Sequence, residues 1–323
     1  MAKKGILITG GSGLVGAYTV RMLQERGERP VVFSVTGNKR LLGAVGTNLK
    51  SLSVVRGDVL DLPALTSTIR EQKIDRIIHL ASYLGEEIQR RPYSGVRLSF
   101  LGTVHVLEAA RLEGVSKVVF SSSAVVYRGS LKKDSFKMID ETVPPHPLSI
   151  YAAAKVGAEF VGQTYARRFG FEFIVVRFPS LYGPSLTGLK ATREQAIQAM
   201  VRAALKNESA TINWPYGPAE ILYGKDAAKG AVLACLKDNV REHTFNIGCG
   251  ELVSGDDFMR AVKTHFPRVE ISLTRGKNPM AYTGDRIPMD YSRSREQLGY
   301  EPEYPLDRAL GDYAETLRKI EGL

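Results

Sequence analysis

Short runs rich in Val and Ile, each followed by a longer stretch of helical periodicity, constrain this chain more than any other feature. The runs are GILITG, PVVFSV, SLSVVRGD, DRIIHLAS, KVVFSSS and FEFIVVRF. Apolar runs without strict alternation suit strands buried on both faces, and helical crossovers between them make such strands parallel. The expected fold is an α/β doubly wound parallel sheet. After Arg177 the character changes to the Pro- and Gly-rich FPSLYGPSLTG, then a helical pattern over residues 192–206, a short strand candidate in TINWP, a helix near Asp226 to Leu236, the strand candidate FNIG and two terminal helix candidates. We therefore expect one domain over residues 1–177. Residues 178–323 then form mainly a smaller C-terminal substrate lobe, with some segments returning to the first domain.

The chain has 323 residues, enough for this plan and a substantial core. A hydrophobic content of 44% and a charged content of 24% suit an ordinary folded protein. Two cysteines without spaced partners suggest neither a disulfide framework nor a metal site, and point to a reducing compartment. The opening MAKKGILITGG fits neither a signal peptide nor a membrane span, so a cytoplasmic location is expected. The net charge of +10 is scattered rather than striped, which favours attraction of a small anion over nucleic-acid binding.

The first strand runs into TGGSGLVG, with Gly10, Gly13 and Gly16 three apart where a helix should begin. Glycines there allow a tight turn, and let the backbone approach a pyrophosphate at the positive end of a helix dipole. This predicts a dinucleotide cofactor. At the end of the second strand, Ser34 stands where a carboxylate would grip the adenosine ribose, and Lys39 and Arg40 follow. A hydroxyl and nearby cations suit a 2′-phosphate, so NADP is favoured over NAD. In GDVLD, Asp58 and Val59 are placed to face adenine, while Asp58 or Asp61 is an equally natural helix cap.

Downstream, FSSSAVVY ends a strand at Ser123, and IYAAAKVGAEF sets Tyr151 and Lys155 on one helix face, four residues apart. An ammonium beside a phenol favours phenolate and lowers its pKa. The expected roles are Tyr151 as general acid/base, Lys155 as its electrostatic support and Ser123 as the group that orients the substrate oxygen.

Taken with HLAS, RFPSLYGP, KDAAKGAVLAC, FNIGCG and LGYEP, these stretches resemble the extended short-chain dehydrogenase/reductase family of sugar epimerases, dehydratases and related oxidoreductases. The resemblance implies a Rossmann-type first domain, a substrate lobe and, commonly, a homodimer joined through a helical bundle. It also implies that Leu14, Val15, Leu80, Ala81, Ser82 and Phe178 line the cofactor with Tyr151 and Lys155, and that Tyr83, Ser123, Ala124 and Ser180 meet substrate. No metal is implied.

Several departures bear on substrate. Ser180 replaces an Asn common in nucleotide-sugar epimerases, and Ala219 stands where a diphosphate-binding Arg is usual. The stretch AYTGD, around Gly284 and Asp285, lacks a second such Arg. Losing two bidentate guanidiniums weakens diphosphate binding by on the order of 1.5–3 kcal/mol each, although Lys190, Arg193 or Arg275 could substitute. Ala124 and Val125 hold the places of the Asp-Glu pair of sugar-nucleotide 4,6-dehydratases, which removes that chemistry. Ser99 replaces an Asn of a proton-relay pattern. His79 reads as a packed strand residue, Tyr182 and Trp214 as packing or pocket walls, and Asp226 as a helix N-cap.

The reading is an NAD(P)-dependent oxidoreductase acting on a carbinol or carbonyl carbon of a small polar substrate, such as a sugar, sugar acid or hydroxy acid. A nucleotide-sugar 4-epimerase with tightly bound NAD is the first alternative. A non-catalytic dinucleotide-binding or RNA-associated protein is the second.

Overall fold

The computed structural model describes residues 4–83, 85–130, 137–186, 192–214, 217–275 and 287–323. Six of its strands fall in the six Val- and Ile-rich runs: β1 (Gly5–Thr9), β2 (Arg29–Ser34), β3 (Ser53–Arg56), β4 (Ile74–His79), β5 (Lys117–Ser123) and β6 (Glu172–Phe178). Three short strands, β7 (Ser180–Tyr182), β8 (Ala210–Asn213) and β9 (Ile221–Tyr223), precede β10 (Thr244–Asn246), and β11 (Ile271–Thr274) follows it. The main sheet has the order β10-β6-β5-β4-β1-β2-β3, parallel throughout. Two small parallel pairs, β11-β8 and β7-β9, lie apart from it. The FNIG strand thus returns to the main sheet beside β6.

The doubly buried runs explain the layers. Ile6, Ile8, Val32, Ile78, Val119, Ile174 and Val176 face one core, while Leu7, Val31, Phe33, Ile77, Val118, Phe173 and Val175 face the other. The first core is covered by α1 (Leu14–Glu25) and α9 (Gly224–Leu236), and the second by α3 (Leu62–Glu71), α6 (Gly102–Leu112) and α7 (Ile150–Phe169). The other helices are α2 (Arg40–Ala44), α4 (Gly85–Arg90), α5 (Pro92–Val96), α8 (Thr192–Lys206), α10 (Gly255–His265), α11 (Ser292–Leu298) and α12 (Leu306–Glu321). Strand order reverses between β1 and β4, and the carboxyl ends there open a crevice, the usual ligand position in such sheets.

Two local expectations change and one gains a detail. The helical pattern of residues 96–112 predicts a helix, and the backbone is helical throughout, with a π turn over Arg97–Leu101 joining α5 to α6. Asp226 is not an N-cap, because Tyr223 occupies that place; its carboxylate instead accepts from the Glu303 and Tyr304 amides at 2.8 and 3.0 Å, pinning the approach to α12. The two GDVLD aspartates divide their tasks: Asp61 caps α3 through the Ala64 amide at 3.0 Å, while Asp58 accepts from the Leu60 amide at 2.9 Å. Among the described residues no helix is long and apolar enough to cross a membrane.

Candidate active site

The crevice is one cavity of about 1260 Å³ that runs from the β2 end to the β7-β9 pair. That exceeds the roughly 300–1000 Å³ of a single small-molecule site, which leaves room for a cofactor and a second molecule.

Its floor is the glycine loop. Gly10 has φ +70°, and a Cβ there would stand 2.9 Å from the Ala81 amide nitrogen. On Gly16 a Cβ would lie 2.4 Å from the Gly10 carbonyl oxygen, so the loop closes only with glycine. At Gly13 a Cβ would meet only that carbonyl, at 3.2 Å. Gly13 is the N-cap of α1 and supplies no capping side chain, so the helix N-terminus faces the cavity uncapped by any side chain. This cradle fits a pyrophosphate. Leu14, Val15, Asp58, Val59, Leu80, Ala81, Ser82 and Phe178 line the same cavity.

At the adenosine end the cavity is lined by Ser34, Val35 and Thr36, with no carboxylate on the β2 end. The Ser34 and Thr36 hydroxyls are 3.4 Å apart. Lys39 and Arg40 are not among the lining residues. The Arg40 guanidinium donates to the Ile320 carbonyl near the end of α12, and its amide donates to Asn38 at 2.9 Å. Sequence proximity placed these two cations at the ribose, whereas the turn into α2 spends Arg40 on joining α2 to α12.

At the carboxyl ends of β5 and β6 the chemistry-bearing residues converge. Ser149 caps α7 through the Ala152 amide at 3.1 Å and thereby sets Tyr151 in the first helical turn, facing the end of β5. Burial pushes the Tyr151 phenol up to about 12, and the hydrogen-bonding Ser123 hydroxyl draws it partly back. Lys155 is 2% exposed; burial draws its ammonium down to about 7, opposed by the Glu159 carboxylate. Its Nζ donates to the Ser121 carbonyl at 2.7 Å and lies 4.8 Å from the Phe120 ring centroid and 5.7 Å from that of Tyr151. The expectation that Lys155 lowers the phenol's pKa is therefore not met in the free protein. The ammonium is engaged by a backbone carbonyl, and desolvation outweighs it.

His79 is buried between the Thr9 hydroxyl at 2.6 Å and the Thr103 hydroxyl at 3.0 Å, stacked on Phe120. Burial, aided by Lys155, lowers its pKa to about 3, so it is a neutral packing residue. Ser99, in the π turn, is 3.0 Å from the Ser82 hydroxyl.

Tyr83, Ala124 and Ser180 line the substrate end, with Ala219 beside them. Ala219 exchanges two backbone hydrogen bonds with Val253, at 3.0 and 2.9 Å, so it is fixed where a guanidinium was sought. Among the described lining residues the basic side chains are Lys155 and Arg128. Arg275 pairs with Asp256 at 3.0 Å and does not line the cavity; nor does Arg193. Lys190, Tyr282, Gly284 and Asp285 lie outside the described residues. Tyr182 lines the cavity and packs edge-on against Phe258, while Trp214 only packs there.

Sequence reasoning missed Arg128, Glu194, Glu220, Ile139, Ile287 and Met289, all of which line the cavity. Glu220 is 7% exposed and accepts from the amides of Cys249, Gly250 and Met289 at 2.7, 2.9 and 2.7 Å, tying three loops together. Its one local signal was a carboxylate amid the apolar residues of AEILY.

The pattern of the NAD dependent epimerase/dehydratase family matches residues 6–248. A putative UDP-glucose 4-epimerase of Methanocaldococcus jannaschii is 28% identical over 94% of this chain and 95% of its own. The dTDP-D-glucose 4,6-dehydratase of Mus musculus is 25% identical over 98% and 89%. The structure of Thermus thermophilus UDP-glucose 4-epimerase in complex with NAD superposes with a TM-score of 0.80 over 97% of this chain and 99% of that one, at 21% identity.

Proposed function

Starting from the premise that this chain is an enzyme of the NAD dependent epimerase/dehydratase family, we propose that it is a pyridine-nucleotide oxidoreductase whose proton-transfer group is Tyr151. The observation that carries the reading is the meeting of Tyr151, Ser123 and Lys155 in the one cavity whose floor is the glycine cradle. Residues 1–177 bind the cofactor, and residues 178–323 supply most of the substrate side.

The cofactor, when bound, supplies or accepts a hydride. The chain's own residues do the rest. Gly10, Gly13 and Gly16 hold the pyrophosphate, Ser123 orients the substrate oxygen, and Tyr151 passes a proton to or from it. Lys155 adds a buried positive charge beside the developing charge and bonds the nicotinamide ribose. The buried phenol is protonated at neutral pH and gives that proton when the substrate carbon is reduced.

On the substrate, Ala219, with Lys155 and Arg128 the basic side chains among the described lining residues, favours a small polar carbonyl or carbinol compound without a nucleotide diphosphate. A second reading, a nucleotide-sugar 4-epimerase, draws on the names of similar proteins and on the cavity's size. Absorbance at 340 nm separates the two: net loss of reduced cofactor with a nucleotide-free aldehyde or ketone supports the first. Interconversion of UDP-sugars without net cofactor change supports the second.

For the cofactor we favour NADP, now on Ser34, Thr36 and the missing carboxylate rather than on Lys39 and Arg40. Fluorescence titration with NADPH and NADH tests this, and tighter NADH binding refutes it. Two free cysteines, Cys235 and Cys249, suit a reducing cytoplasm. A homodimer is the state we assign, joined through α6 and α7, which expose Leu112, Phe160 and Phe169.

A further inference from the structure

We propose that Glu159, held by Ser122 and Arg177, is a positioning residue that fixes Lys155 and sets its charge. This rests on the reading of Lys155 as part of the active site. Glu159 follows Lys155 by four residues on α7, one turn further from Tyr151, so the three share a helix face. It is 2% exposed, and Arg177, on β6, is 4% exposed.

The carboxylate accepts from Arg177 twice, from Nε at 3.1 Å and Nη2 at 2.5 Å, and from the Ser122 hydroxyl. Ser122 immediately precedes Ser123, and Arg177 immediately precedes the cavity-lining Phe178. One carboxylate thus locks α7, which carries Tyr151 and Lys155, in register with the active ends of β5 and β6. Arg177 is itself held: its Nη1 donates to the Tyr127 hydroxyl at 2.6 Å, which donates to Asn246 Oδ1 at 2.8 Å on β10.

A buried ion pair in a helix-sheet interface is often no more stable than apolar residues of the same volume, and breaking it from one side leaves an uncompensated charge. The pair's effect here is electrostatic as well as steric. Lys155 faces the Glu159 carboxylate and the phenol of Tyr151 from its own helix, neutral His79 from β4, and the Ser121 carbonyl and Phe120 ring from β5, with Arg177 beyond Glu159 on β6 and Tyr127 beyond Arg177. Among the described residues, Glu159 is the acidic group that opposes the effect of burial on the Lys155 ammonium, and Arg177 pairs with that carboxylate.

The test is the titration of the Lys155 side chain by NMR in protein labelled with ¹³C at lysine Cε, the resonance assigned by its loss in Lys155→Met. Glu159→Gln should move the midpoint to lower pH, Arg177→Gln should move it to higher pH by freeing the carboxylate, and the double variant should return it toward the wild-type value. Arg177→Lys, which keeps the charge, should leave it in place. If Arg177→Gln fails to fold, Glu159→Gln and Arg177→Lys decide alone, one shifting and the other not. Shifts in one common direction, or none in folded protein, overturn the proposal. The readout needs no turnover, so it is separate from whether Tyr151 is the proton donor.

Discussion

At the residue scale, function turns on what burial does to a few groups. Gly13 and Gly16 make the first prediction. Gly13→Ala should fold with nearly normal stability but lose at least about tenfold in cofactor affinity, since its Cβ meets only one protein atom and otherwise stands where the pyrophosphate must come. Gly16→Ala should lower Tm outright, because its Cβ would stand 2.4, 2.6 and 2.8 Å from three backbone atoms of Gly10 and Gly11. Equal melting temperatures for the two would contradict this account of the loop. His79 makes the second. Its folded pKa of about 3 lies below the ordinary value of 6.5, so between those limits the unfolded chain binds the extra proton. Stability from this group is complete above about pH 6.5 and is lost as pH falls toward 3, at up to about 1.4 kcal/mol per pH unit. His79→Gln should be less stable at pH 7 yet show a shallower loss on acidification in urea unfolding, and an unchanged slope would show that His79 is not buried neutral. The sequence showed Tyr151, Lys155 and Ser123 together because a helical period and a strand end are local. The phenol's high pKa was hidden, because desolvation depends on every element that covers it.

At the scale of elements, α7 is the positioning device. Ser149→Ala removes its cap and should cost about 1 kcal/mol in urea unfolding. The same change should lower turnover more than it weakens cofactor binding, because Tyr151 lies in the first turn. The outer face of α7 carries the dimer prediction: Phe160 is 58% exposed, with Phe169 at 47% on the same helix and Leu112 at 50% on α6. Phe160→Glu should convert a dimer to a monomer in sedimentation velocity without altering the far-UV spectrum, and a wild-type monomer would end the assignment. Element type was legible from period, whereas the π turn at Arg97–Leu101 was not, since nothing in RLSFL distinguishes it from plain helix. Arg40 misled for a related reason: its partner, the Ile320 carbonyl, lies 280 residues away.

At the scale of the molecule, the six strand runs specified the sheet because their continuous apolar character suits only doubly covered parallel strands. The rest of the cavity wall was the least legible part. Arg128, Ile139, Glu220 and Met289 line it, and they are distant in sequence and carry no shared motif. That assembly separates the two halves of the reading: the chemistry rests on local motifs, and the substrate on a surface that only the fold creates. The chemistry is tested most directly by Tyr151→Phe, with cofactor affinity measured by fluorescence titration and turnover measured at 340 nm on the same preparation. We predict a dissociation constant within about twofold of wild type and a turnover lower by about 10²–10⁴; near-normal turnover with unchanged affinity would contradict the assignment of Tyr151 as the proton-transfer group.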